Sequence, residues 1–178
     1  LVVLALFLQI DSFGIKIAAL LLIPIIFYMD SLDGYLARHL NCATQLGSVL
    51  DVVGDRIVEL VLWMFLSFIG LVPLWIPVLV IVRGFITDGF RNIAIAKGHT
   101  TFSMMKSKIG WWMVASPLSR SSYAAAKAVV FCFGIAIWAF SLQSIPAVVF
   151  AFYALITFTL IHSLVRAIFS IIESVKLL

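Results

Sequence analysis

Apolar residues run in long blocks along the chain, and each block ends where Gly, Pro, Ser or Asp gathers. A partial block covers 1–10, and further blocks lie near 17–37, 47–69, 76–96, 123–141 and 145–168. "DSFGIK" joins the first two, "SFIGLVPLW" holds a later break, and "SLQSIP" separates the last two. Runs of about 20 residues with few charges have the length a helix needs to cross a hydrocarbon core. The pattern predicts an all-α membrane protein, a six-transmembrane-helix bundle forming one domain over 1–178, with no soluble linker, low-complexity segment or internal repeat. The chain starts at Leu1 inside an apolar block, with no Met and no charged segment ahead, which reads as a first helix cut short at its N-terminus.

Composition supports the membrane class. Hydrophobic residues make up 64% and charged residues 11%, with a mean hydropathy of +1.21, whereas a soluble domain is about half apolar and a quarter charged. Cys42 and Cys132 form neither a disulfide framework nor a metal-ligand spacing and read as packing residues. The net charge of +4 and pI near 9.3 do not imply nucleic acid, because the basic residues are not interleaved with aromatics on a soluble face. Membrane lipids or anionic substrates explain them better. The segment 97–122 carries Lys97, Lys106, Lys108 and Arg120 and no acid. Placed with Arg38, Arg166 and Lys176 on one side, it leaves only Lys16 opposite, so the basic side and both termini are predicted to be cytoplasmic. Trp111 and Trp112 suit a short interfacial helix at headgroup level.

The unusual feature is a group of acids. "DSLDGYLAR" at 30–38 closes the second block and "GSVLDVVGD" at 47–55 opens the third. Residues three or four apart share a helix face, so Asp30 pairs with Asp33 and Asp51 with Asp55, and the short loop between the blocks lets the pairs converge. Four carboxylates gathered at a membrane boundary repel each other and lose hydration, and cations relieve both costs. Oxygen-only ligands suit hard Mg²⁺, Mn²⁺ or Ca²⁺, and four carboxylates suit two ions about 3.5–4 Å apart, the arrangement that clamps a phosphoryl displacement. Gly34, Ala37 and Gly47 let a ligand or another backbone approach closely, and Arg38 adds a fixed cation suited to phosphate. Polar caps at ordinary helix ends account for one or two of these residues, not for four acids and an Arg framed by small residues.

Asp30-x2-Asp33-Gly34-x2-Ala37-Arg38-x8-Gly47-x3-Asp51-x3-Asp55 resembles the signature of the CDP-alcohol phosphatidyltransferases. With each position at a frequency of about one in ten, a chance match is on the order of 10⁻⁸ per start position. The resemblance implies an integral membrane enzyme, usually a homodimer, with a cytoplasmic-side active site open to the lipid. It implies transfer of a phosphatidyl group from CDP-diacylglycerol to an alcohol with release of CMP, using Mg²⁺ or Mn²⁺. Carried over by residue, it assigns Asp30, Asp33, Asp51 and Asp55 to the metals. Asp30, Gly34, Ala37, Arg38 and Gly47 would hold the CDP moiety, and Asp55 would act as catalytic base on the acceptor hydroxyl. A bacterial inner membrane is the expected location.

For the acceptor, "RGFITDGFRNIAIAKG" at 83–98 resembles the fourth-helix segment of phosphatidylglycerophosphate synthases, with Gly84 where those carry a Glu and Asp88 as the replacement acid. Arg83 lies well inside its block and must meet a carboxylate, a phosphate or water, with Glu59 one possible partner. Lys106, Lys108, Arg120 and Lys127 form the stronger anion site, Lys127 about a turn and a half inside the fifth block. Snorkelling towards lipid headgroups is the plainer account of Lys106 and Lys108. Together with Arg83 these cations point to the phosphate of glycerol 3-phosphate, with inositol phosphate or an unphosphorylated alcohol such as serine or choline as alternatives. His39, His99 and His162 are scattered, and His162 shares a face with Arg166, either lining a cavity or flanking an interface. From another class, a divalent-cation transporter also gathers acids in a bundle, but near the midplane and commonly in paired repeats, neither of which the sequence shows.

Overall fold

The computed structural model describes residues 13–39, 45–96 and 107–176, so the first apolar block, at 1–10, lies outside the described residues. The described chain is helical. The long elements are α1 (Phe13–His39), α2 (Gln45–Phe68), α3 (Trp75–Ala96), α4 (Pro117–Ala139) and α5 (Pro146–Val175). Between α3 and α4 a single turn, Lys108–Gly110, runs into a π-helical stretch, Trp111–Ala115.

Local chemistry sets these boundaries. After α2, Gly70 takes a left-handed φ of +76°, its N–H reaches the Ser67 carbonyl at 3.0 Å and the Leu71 N–H reaches that of Leu66 at 3.0 Å. That pair of bonds is a Schellman stop, and Gly is the residue that enters it without strain. Ser116 closes the π stretch through its backbone N–H to the Trp111 carbonyl at 2.9 Å and opens α4 by accepting the Ser119 N–H on its hydroxyl at 3.2 Å. Pro117 follows at the first helical position, where its missing N–H costs nothing. The fifth predicted block therefore begins at Pro117 and not at 123, which corrects two placements. Arg120 belongs to the first turn of α4, and Lys127 lies ten residues past Pro117, nearly three turns in. α4 ends at Ala139, and Ser141, with a left-handed φ of 53°, turns the chain into a 3₁₀ turn, Leu142–Ser144. α5 then runs to Val175, beyond the predicted end near 168.

By length and composition α4 and α5 can each cross a membrane, and α1 carries an apolar stretch over Lys16–Met29. In α2 and α3 the charged residues Asp51, Asp55, Arg56, Glu59, Arg83, Asp88 and Arg91 interrupt the run. Large apolar side chains cover much of the surface as well as filling the core. Phe150, Phe85 and Phe68 are more than 70% exposed, while Glu59, Glu173, Ser163 and Thr159 are buried. An apolar exterior, with polar groups tucked inside among apolar ones, suits lipid. Several buried hydroxyls are satisfied locally: Thr87 donates to the Arg83 carbonyl at 2.8 Å, Thr159 to that of Leu155 at 2.8 Å and Ser163 to that of Leu160 at 2.9 Å.

The chain packs as two units, Leu1–Leu74 with Ala128–Phe152 and Trp75–Lys127 with Tyr153–Leu178. The first is held by aromatics. Trp63 meets Phe131 edge-on at 5.2 Å, Phe27 stacks on Phe131 at 6.2 Å, and Phe65 meets Trp138 at 5.3 Å. Each such pair adds about 0.5–1.5 kcal/mol beyond its buried area. Gly134 makes room for this packing, since a Cβ there would stand 2.7 Å from Leu66 Cδ2 and 3.1 Å from Phe152 Cζ. The second unit packs α3, the short helical segment, the start of α4 and most of α5.

Candidate functional site

Charge divides between the two units. Six of the eight Asp and Glu fall in the first, and nine of the twelve Lys and Arg in the second. Each unit therefore offers a different chemistry.

In the first unit, α1 runs unbroken through Asp30, Asp33, Gly34, Ala37 and Arg38, and α2 through Gly47, Asp51 and Asp55. The helical backbone thus places Asp30 with Asp33, and Asp51 with Asp55, on common faces, as their spacing predicts. The side chains of Asp30, Asp33, Gly34, Ala37, Arg38 and Asp51 lie outside the described residues. Asp55 is exposed, as is Gly47, and a Cβ built on Gly54 would meet nothing within 4 Å. One turn further, Glu59 is buried and pairs with Arg56 at 3.7 Å. Among the described residues no group of three or more His, Cys, Asp or Glu is placed to hold a metal ion.

In the second unit the cations converge on Tyr123, in α4. The Arg83 guanidinium, from α3, donates to the Tyr123 hydroxyl at 3.4 Å. The Lys127 ammonium, from α4, stands 5.0 Å from the ring centroid, and Arg166, from α5, lies over the same ring at 5.6 Å. The His162 ring meets it edge-on at 5.7 Å. Arg83, Arg91 and Arg120 all add positive potential at Arg166. Lys108 and Arg120 are exposed, and Lys106 lies outside the described residues. Asp88, the acid weighed as a replacement at Gly84, pairs with Arg91 at 3.5 Å.

Arg166 also ties the short helical segment to α5. Its guanidinium donates to the carbonyls of Met113 at 3.2 Å and Val114 at 3.3 Å and to the Ser119 hydroxyl at 2.7 Å. Ser119 in turn donates to the Met113 carbonyl and stands 3.5 Å from His162 Nε2. A planar guanidinium suits this fork of acceptors, and the bonds hold Arg166 in one orientation. The pairing of His162 and Arg166 on one face was legible in their spacing; the carbonyls that Arg166 grips were not. Tyr123 was missed, although it sits three residues after Arg120 and four before Lys127, the helical spacing at which a ring and a cation meet.

The family model for CDP-alcohol phosphatidyltransferases matches residues 1–175. The chain belongs to that family. Among curated proteins, the chain is 32% identical over 83 residues to the CDP-diacylglycerol–glycerol-3-phosphate 3-phosphatidyltransferase of Bacillus subtilis (strain 168). The match covers 47% of the chain and 43% of that relative, less than half of each. No solved structure matches the chain significantly. The phosphatidyltransferase family is membrane-embedded, in keeping with the apolar exterior, and its signature acids lie here on α1 and α2.

Proposed function

We propose that the chain is an integral membrane enzyme that moves a phosphatidyl group from CDP-diacylglycerol to glycerol 3-phosphate and releases CMP. Family membership and the acid motif on α1 and α2 support the chemistry. For the acceptor, the carrying observation is the convergence of Arg83, Lys127 and Arg166 on Tyr123 in the cation-rich unit, a setting for a phosphate rather than a neutral alcohol. The partial relative's name, which specifies glycerol 3-phosphate, agrees with that choice.

The donor set tests a metal by its chemistry. Four carboxylates at helical spacing, one of them exposed Asp55, fit a hard divalent cation, and Asp30, Asp33, Asp51 and Asp55 would hold Mg²⁺ or Mn²⁺. When bound, such ions neutralise pyrophosphate charge and favour departure of CMP. Gly34, Ala37 and Gly47 leave room for the cytidine, and Arg38 contacts its phosphate. Asp55 orients the acceptor hydroxyl. The hydroxyl oxygen forms the new bond to the β-phosphorus as the bond to CMP breaks, and Asp55 takes the proton late. Arg83, Lys106, Lys108, Arg120 and Lys127 hold the acceptor phosphate. The same reading gives six spans, both termini and the active site on the cytoplasmic side of a bacterial inner membrane, and a homodimer.

The test uses purified protein, CDP-diacylglycerol, Mg²⁺ or Mn²⁺ and a panel containing glycerol 3-phosphate, inositol phosphate, serine and choline. Metal-dependent CMP release with glycerol 3-phosphate is expected, and Asp55→Asn lowers turnover by about 10²-fold or more. Full turnover by Asp55→Asn at saturating acceptor rules out the base assignment. Reaction with serine or choline alone rules out the acceptor.

A further inference from the structure

We infer that Tyr123 is the positioning residue of the anion cluster: it gathers Arg83, Lys127 and Arg166 around one ring and thereby sets affinity for a phosphomonoester. The inference rests on reading these cations as the acceptor-phosphate site. Three cations on three different helices repel one another, and the repulsion is large where water is scarce. An Asp or Glu among them would relieve that repulsion by neutralising the charge, and would then compete with the incoming phosphate. A tyrosine ring does otherwise. Its negative face attracts Lys127 at 5.0 Å and Arg166 at 5.6 Å, and its hydroxyl oxygen accepts from Arg83 at 3.4 Å. The ring itself adds no negative charge to the cluster. The cations stay close together in advance of the ligand, and Arg166 is further fixed by the Met113 and Val114 carbonyls and Ser119. Such preorganisation favours a dianion, which meets several donors without first drawing them together.

The experiment compares wild type, Tyr123→Phe and Tyr123→Leu. Readouts are KM for glycerol 3-phosphate, KM for CDP-diacylglycerol, kcat at saturating acceptor, and Ki for inorganic phosphate as competitor. Tyr123→Phe keeps the ring and loses the hydroxyl that accepts from Arg83, so acceptor KM and phosphate Ki rise together, roughly 2- to 10-fold. Tyr123→Leu also loses both ring contacts, and the rise is on the order of 10- to 100-fold. In both variants kcat and the CDP-diacylglycerol KM stay within about twofold, the mark of lost uniform binding. Unchanged acceptor KM in both variants overturns the proposal, as does an equal rise in both KM values, which is the signature of a structural defect. Tyr123→Phe, with unaltered packing, keeps the test valid if Tyr123→Leu misfolds. If wild type uses only unphosphorylated alcohols and ignores inorganic phosphate, the acceptor reading has failed and takes this inference with it. If wild type uses glycerol 3-phosphate and the variants match it, the role of Tyr123 alone has failed.

Discussion

Gly134 sits on α4 against Leu66 of α2 and Phe152 of α5, and both neighbours are almost wholly buried. Between helices in lipid, close approach through small residues and van der Waals contact do much of the work that water exclusion does elsewhere. A methyl at 134 has nowhere to go, because neither Leu66 nor Phe152 can retreat into open space. Gly134→Ala is therefore expected to destabilise the fold by about 1–3 kcal/mol through overpacking. Thermal unfolding in detergent checks this, and an unchanged midpoint indicates that the helices separate freely. At this scale the sequence was legible for side chains that carry their chemistry openly. The spacing of Asp30, Asp33, Asp51 and Asp55 was read directly from the helical period, and α1 and α2 run through all four. The spacing could not say that Gly134 is a packing residue, since close approach depends on which helices meet there. Nor could it say that Arg166 binds carbonyls, because backbone acceptors leave no mark in a sequence.

At the scale of elements, the start of α4 shows where the reading went astray. "SPLSRSS" at 116–122 has the hydroxyls and charge of a loop, yet Ser116 and Pro117 are also a cap and a first helical residue. The cap governs here because the Ser116 hydroxyl accepts the Ser119 N–H while donating to the Trp112 carbonyl. One side chain thus ends one element and starts the next. Ser116→Ala is expected to cost about 1 kcal/mol. Hydrogen exchange checks this: amides of the first α4 turn should exchange several-fold faster, while those around Trp63 are unaffected. Equal rates in the first turn indicate that Pro117 alone fixes the start. The breaks at 69–74 and 140–145 were legible because Gly70, Pro73 and Pro146 leave the backbone few choices.

For the whole molecule, the segregation of acids from cations is visible in the composition of each unit but not in the net charge of +4, which averages it away. The prediction at this scale concerns salt. Raising ionic strength from roughly 0.01 to 1 M shortens the screening length from about 30 to about 3 Å. The KM for glycerol 3-phosphate is expected to rise several-fold over that range in steady-state assays, whereas KM for an unphosphorylated alcohol stays nearly level. A flat response for both indicates that the cation-rich unit does not receive the acceptor. The six-helix expectation was only partly supported by whole-chain hydropathy, since two described helices are long and apolar enough to cross a membrane. α2 and α3 fall short because charges interrupt them: Asp51, Asp55 and Arg83, which the proposed chemistry uses, and the pairs Arg56–Glu59 and Asp88–Arg91.

The hydroxyls along α5 bear on how the chain is made. Thr157, Thr159, Ser163 and Ser174 each donate to a carbonyl three or four residues earlier in their own helix. A polar group left unsatisfied in hydrocarbon costs several kcal/mol, but these side chains carry their acceptors with them. Four of the five Ser and Thr side chains of the last helix thus have their donors spent before it meets any neighbour. During biogenesis those hydroxyls need no partner helix, whereas Arg166 draws on Met113, Val114 and Ser119, so the last helix completes its bonding when it assembles.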